Sequence, residues 1–158
     1  MKEAGVRFKI LLFLIFPVVT GNFKGKQIMR SVAETFGRTV FECQNEVLMK
    51  FGSGILNDIF RYWHEGQPLE DRDLGCIFRC ILLKLELVND NGRLIDANAD
   101  GFFQANGADE SMTKHLIELY HSCYQTMRFP QDDCMLILEI GKCCREGVRN
   151  AHWTPGSK

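Results

Sequence analysis

Residues 75–88, GCIFRCILLKLELV, form a nearly unbroken apolar stretch with two cysteines four positions apart. Fourteen residues rich in Ile and Leu read as a helix. On a helix Cys76 and Cys80 share one face, yet their Cβ atoms stand about 5–6 Å apart, where a disulfide needs about 4 Å. They therefore do not bond each other, and each thiol has to reach a different helix. A second stretch, residues 132–144, DDCMLILEIGKCC, carries the same message. Cys134 and Cys143 lie nine residues apart, on opposite sides of a helix, and also need separate partners. From Cys134 to Ile140 only Glu139 is polar, which predicts a helix buried on most sides at the centre of the domain.

Working outward, the rest of the chain reads as helix with no strand, repeat or low-complexity segment. Ile28, Val32, Phe36, Val40, Cys43 and Val47 recur every three or four residues and define an amphipathic first helix. Ser53 caps a second, whose stripe is Ile55, Leu56, Ile59, Phe60, Tyr62 and Trp63 before Gly66 and Pro68 stop it. The third runs from Asp71 to Val88, and Asn89, Asp90, Asn91 and Gly92 then make a turn. A short fourth helix spans about Asp96 to Ala105. Asp109 caps the fifth, with Met112, Leu116, Leu119, Tyr120 and Cys123 on one face, and Pro130 opens the sixth. The expected fold is an all-α bundle of about six helices.

The 158 residues are 46% hydrophobic and 25% charged, the make-up of one ordinary globular domain, and disorder is excluded. A formal charge of −1 offers no cationic field for nucleic acid. Ile10 to Val19 is an apolar run of ten residues, about half the length of a membrane-spanning helix, so it is no stable anchor. Behind Lys2, Arg7 and Lys9, and ahead of Thr20 and Gly21, it has the order of a secretory signal, with Pro17 arguing against a buried helix. Residues 1–24 are expected to be that signal, cut between Thr20 and Lys24, leaving a domain of residues 25–158. A cut after Lys24 leaves 15 basic against 19 acidic residues. An exported chain with seven cysteines is expected to keep disulfides.

Successive cysteines, leaving out Cys144, are separated by 32, 3, 42, 10 and 8 residues. Phe36 and Gly37 precede the first, and Trp63, Glu65 and Gly66 close the second helix. Arg72, Gly75 and Cys76 lead into the third, followed by Gly107, Ala108, Asp109 and Glu110. His121 precedes Cys123, Asp132 and Asp133 precede Cys134, and Trp153 and Pro155 end the set. In the last four gaps and in these residues the chain, from about Ile28 to Pro155, resembles the moth pheromone-binding and general odorant-binding proteins.

The resemblance implies bridges of Cys43 with Cys80, Cys76 with Cys134 and Cys123 with Cys143, in a secreted carrier with an apolar cavity. It implies wall positions at Phe36, Tyr62, Trp63, Phe78, Leu82 and Leu94, and at Phe102, Ile117, Tyr120, Leu136, Ile140 and Cys144. Twelve Phe, six Met and two Trp suit a core as well as a cavity, and the alignment alone selects among them. The implied partner is a small volatile hydrophobic ligand, a pheromone or plant odorant, carried through sensillar lymph to an olfactory receptor. A homodimer stays open, no cofactor or metal is implied, and a non-olfactory carrier of lipids or plant compounds is the alternative on the same fold. Cys144 is then left as a soft cavity wall or a tolerated buried thiol, with pairing in place of Cys143 a third reading.

Two motifs point elsewhere. Asp96, Asn98, Asp100 and Gly101 match the early positions of a calcium loop, but Gly107 stands where the bidentate Glu belongs, and a capping-rich helix start accounts for them. The Cys143 and Cys144 pair resembles that of secreted phospholipases, which need a His and Asp shortly afterwards. Here Arg145, Glu146, Gly147 and Val148 follow. His115 and His121 lack zinc-protease spacing, His64 and His152 read as surface residues, and thiols held in disulfides are not nucleophiles. A hydrolase, or any enzyme, is not expected.

Overall fold

The computed structural model describes residues 23–43, 57, 61–62, 67–68, 70–127 and 132–154. Among them residues 23–43 are helical (α1), and four further helices are bounded: α2 (Arg72–Lys84), α3 (Asp96–Ala105), α4 (Glu110–Thr126) and α5 (Asp133–Asn150). Residues 57, 61 and 62 are also helical, while the rest of the expected second helix lies outside the described residues. So do Val47, the signal segment up to residue 22, and Pro130.

Three helices start on a carboxylate, as short polar side chains at helix starts predict. Asp71 accepts from the Asp73 amide, Asp109 from that of Met112 and Asp132 from that of Met135, each satisfying an amide the helix leaves open. The first described residue ahead of the last helix is thus Asp132, its cap.

The third expected helix ends earlier than Val88. Glu86 adopts a left-handed φ of 54°, the Leu87 amide turns back to the Leu82 carbonyl, and Val88 pairs with Leu94 in a single antiparallel bridge. Burial decides this: Leu87, Val88 and Leu94 pack on Ala99 as a small core of their own, which a continuing helix would scatter. Asn89 accepts from the amides of Asn91 and Arg93, and Gly92, at φ 73°, closes the turn.

α5 runs through the centre, with Ile137, Leu138 and Ile140 fully buried. Cys80 bonds Cys43 on α1, Cys76 bonds Cys134 on α5, and Cys123 of α4 bonds Cys143 of α5, so the four longest elements are cross-linked and Cys144 stays free. At the α2–α5 crossing, Gly75 has no room for a side chain, since a Cβ there would overlap the carbonyl oxygen of Cys134. Arg72 pairs with Asp132 and Arg79 with Asp133 on either side of it. At the other end, the Trp153 ring covers Gly25 of α1 and meets His115 edge-on at 5.3 Å. No helix among the described residues is long and apolar enough to cross a membrane.

Asp109, Asp132 and Glu146 are held below the usual carboxylate range, first by hydrogen bonds from Lys24, Arg72 and Arg149 respectively. A depressed carboxylate stabilises the fold above its unfolded value near 4, and the contribution disappears as pH falls through the lower folded value. These groups therefore leave the interval from pH 7 to pH 5 unchanged and steepen acid unfolding below about pH 4. Asp132→Asn keeps the cap acceptor and removes the charge. Urea midpoints against pH should show a constant offset above pH 5 and a shallower fall below pH 4; a fall as steep as in the parent contradicts the assignment.

Candidate ligand-binding cavity

The helices line a cavity of about 130 Å³, partly open to solvent, with an almost wholly apolar wall. Its composition follows from helical periodicity. α1 contributes Met29, Val32, Ala33 and Phe36, one stripe at spacings of three, one and three. α5 contributes Ile137, Ile140, Gly141, Cys144 and Val148, and α4 contributes Leu116, Leu119 and Tyr120. Phe78 and Leu82 of α2, Leu87 and Leu94 of the bridge, Ala99 and Phe103 of α3, and Tyr62 complete the wall. A volume near 150 Å³ lined by such side chains stays dry and admits a benzene-sized molecule. This cavity is in the same range.

Eight of the expected wall positions face it: Phe36, Tyr62, Phe78, Leu82, Leu94, Tyr120, Ile140 and Cys144. Trp63 lies outside the described residues. Three others stand behind the wall. Phe102 stacks on Phe36 at 5.9 Å and leaves the cavity to Phe103. Ile117 packs on the Leu87, Val88, Leu94 and Ala99 cluster, and Leu136 on Cys123, Ile137 and Ile140. Each is one residue from a wall residue or three from one, and the roughly 100° turn per residue carries it off the lining stripe. Some of the positions not anticipated were recoverable by stepping along a helix from an anticipated one: Val32 and Met29 from Phe36, Leu116 from Tyr120, Ile137 and Val148 from Ile140 and Cys144; Leu87, beyond the end of α2, and Phe103 were not.

Polar atoms are few. The Tyr120 hydroxyl donates to the Gly92 carbonyl at 2.8 Å and the Tyr62 hydroxyl to the Gly141 carbonyl at 3.4 Å. Burial pushes both phenols well above their ordinary range, so they stay neutral. The guanidinium of Arg145 lies over the Tyr62 ring, 4.5 Å from its centre. Burial also pushes the Cys144 thiol up to about 12.

That last value sets a measurable property. At pH 8 it leaves about one thiol in ten thousand ionised, and only the thiolate attacks an alkylating agent. Iodoacetamide should therefore modify Cys144 on the order of a thousandfold more slowly in the native protein than in denaturant, where one thiol reacts at once. Equal rates in the two states would place Cys144 outside the wall.

The calcium-loop residues have other engagements. Asp96 pairs with His121 at 2.7 Å, Asn98 donates to the Glu86 carbonyl, and Asp100 accepts from Gln104. Among the described residues no group of three or more metal-binding side chains converges.

A helical shell stapled by three disulfides around an apolar cavity has the architecture of a small-ligand binding protein. The PBP/GOBP family model matches residues 26–147, and the chain belongs to that family. It is 28% identical over 153 residues to pheromone-binding protein 2 of Epiphyas postvittana, covering 97% of this chain and 90% of the relative. With general odorant-binding protein 1 of Bombyx mori it shares 23% over 148 residues, covering 94% and 89%. The crystal structure of Epiphyas postvittana pheromone-binding protein 3 superposes with a TM-score of 0.64 at 34% identity, covering 72% of this chain and 95% of that one.

Proposed function

We propose that this protein is a secreted carrier that takes up small hydrophobic odorants or pheromones and moves them through aqueous sensillar lymph toward olfactory receptors. The observation that carries the reading is the apolar cavity, walled from five helices and Tyr62 inside a disulfide-stapled shell. In this reading residues 1–24 contain the export signal, residues 25–158 the carrier, and the cavity residues bind the ligand. A hydrocarbon skeleton leaving water gains roughly 0.8 kcal/mol per methylene, and after association costs a compact ligand ends near micromolar affinity. Such affinity permits both loading and release.

Family membership and the names of the relatives support binding of this ligand class, and the polar face of the bundle suits an aqueous fluid. Export and location are tested together by expressing the full chain in insect cells, reading the N-terminus of the secreted product, and locating the protein in tissue. The expected results are a new N-terminus at residues 21–25 and protein in the antennal sensilla. Retention in the cells overturns the carrier's export, and secretion with presence in gut or fat body alone points to the non-olfactory carrier.

A further inference from the structure

We infer that Asn91 is a site of spontaneous modification: the Gly92 nitrogen displaces its side-chain amide, and the resulting isoaspartate withdraws a carbonyl that holds Tyr120 in the cavity wall. The consequence for the wall rests on the cavity being the ligand site, and the modification itself does not.

The sequence contains two Asn–Gly steps, Asn91–Gly92 and Asn106–Gly107. With no Cβ, glycine presents the least hindered backbone nitrogen to the side chain before it. That nitrogen bonds to the asparagine Cγ, Nδ2 leaves as ammonia with the amide proton, and a five-membered imide closes. Water then opens the ring. Opening at the side-chain carbonyl gives aspartate. Opening at the backbone carbonyl, the more frequent outcome, gives isoaspartate, whose main chain runs through Cβ and is one atom longer.

The backbones of the two steps match. Gly92 and Gly107 have left-handed φ values of 73° and 93°, and each amide donates at 2.9 Å to the carbonyl three residues back, that of Asn89 or Gln104. The side chains differ. Asn106 donates through Nδ2 to the Phe102 carbonyl and accepts at Oδ1 from Ser31 and Thr35 of α1, so ring closure there must first break these bonds. Asn91 is exposed in the turn after α2, and its backbone alone is engaged, the amide donating to Asn89 and the carbonyl accepting from Tyr124. No hydrogen bond to a described residue holds its carboxamide.

The turn is pinned on both sides of Asn91. Arg79 donates to the Asp90 carbonyl, and Tyr120, a wall residue, donates to that of Gly92 at 2.8 Å. Gly92 is itself buried against Ile137. A longer chain between Asp90 and Gly92 moves the Gly92 carbonyl and leaves the Tyr120 hydroxyl without its partner.

The test holds the native, oxidised protein at pH 8 and follows both steps by peptide mapping, mass spectrometry and labelling with an isoaspartyl methyltransferase. We expect Asn91 to convert about tenfold faster than Asn106 or more, and the two to convert at similar rates in the reduced, denatured chain. An Asn106 that keeps pace with Asn91, or an Asn91 that stays intact while the denatured chain converts, overturns the inference. In titrations with a fluorescent apolar probe, the isoaspartyl fraction, resolved by ion exchange, should bind at least about threefold more weakly than the unmodified fraction of the same sample. Asn91→Asp, which has the charge without the longer chain, should bind as the parent does. Equal affinity of the two fractions, or an equal loss in Asn91→Asp, overturns the link to the wall. Absence of probe binding in the fresh parent overturns the cavity reading and that link with it, whereas the mapping still decides the modification.

Discussion

Replacing Gly141 with Leu should leave the protein more stable and unable to bind. Gly141 sits in the interior of α5, where glycine costs about 1 kcal/mol relative to a good helix former. A Cβ built there meets no described atom within 4 Å, so the new side chain grows into open space at the cavity wall. Four added carbons take up a large share of about 130 Å³, which leaves too little room for a benzene-sized ligand. The expected outcome is a rise of about 1 kcal/mol in unfolding free energy together with at least a hundredfold weaker probe binding. Gly141→Ala, with one carbon, should show most of the stabilisation and a loss below about tenfold. Unchanged probe affinity in Gly141→Leu would mean that ligands bind elsewhere.

Gly75→Ala should be the most damaging single methyl in the protein. The added carbon would overlap the backbone oxygen of Cys134 and come within 3.0 Å of the Leu138 Cβ. Neither neighbour is the far end of a flexible side chain. Cys134 is bonded to Cys76, one residue from Gly75, and Asp132 ties the same end of α5 to Arg72. The helices can separate only by straining these links, so a cost of about 3 kcal/mol or more is expected in urea unfolding with disulfides intact. Gly147→Ala supplies the contrast. Its Cβ would overlap the methyl groups of Leu119, which can swing aside, and a cost near 1 kcal/mol is expected. Equal costs at the two positions would show that the α2–α5 crossing is looser than described.

The same crossing explains what could be read from residues alone. Four positions between Cys76 and Cys80 suffice to exclude their pairing and to demand cross-helix bonds, because helix geometry is local. Which thiol meets which is a property of the packed bundle, and only the likeness to a known family implied it. α3 was readable to the residue, Asp96–Ala105, since its ends carry their own signals in Asp96 and Gly107. The end of α2 was not. Leu85, Leu87 and Val88 continue an apolar pattern that suits a helix, and what breaks it is the Val88–Leu94 bridge, formed with a segment not yet in view.

The cavity shows the same division. Stripes on α1, α4 and α5 follow from period and anchor, but the choice between Phe102 and Phe103 turns on which ring stacks against Phe36, a contact between α1 and α3. The roles of Tyr62 and Tyr120 were equally hidden. A phenol reads as donor or acceptor in a sequence, and only the Gly141 and Gly92 carbonyls settle that these two donate to the backbone.

The measurement closest to the central claim is a fluorescence titration of the oxidised protein at pH 7 with an apolar probe, followed by displacement with compact volatiles. The account predicts one saturable site per chain of about micromolar affinity, emptied competitively and lost in Gly141→Leu while the fold persists. A folded, fully oxidised protein that binds no probe, or binds it equally well after Gly141→Leu, would contradict it.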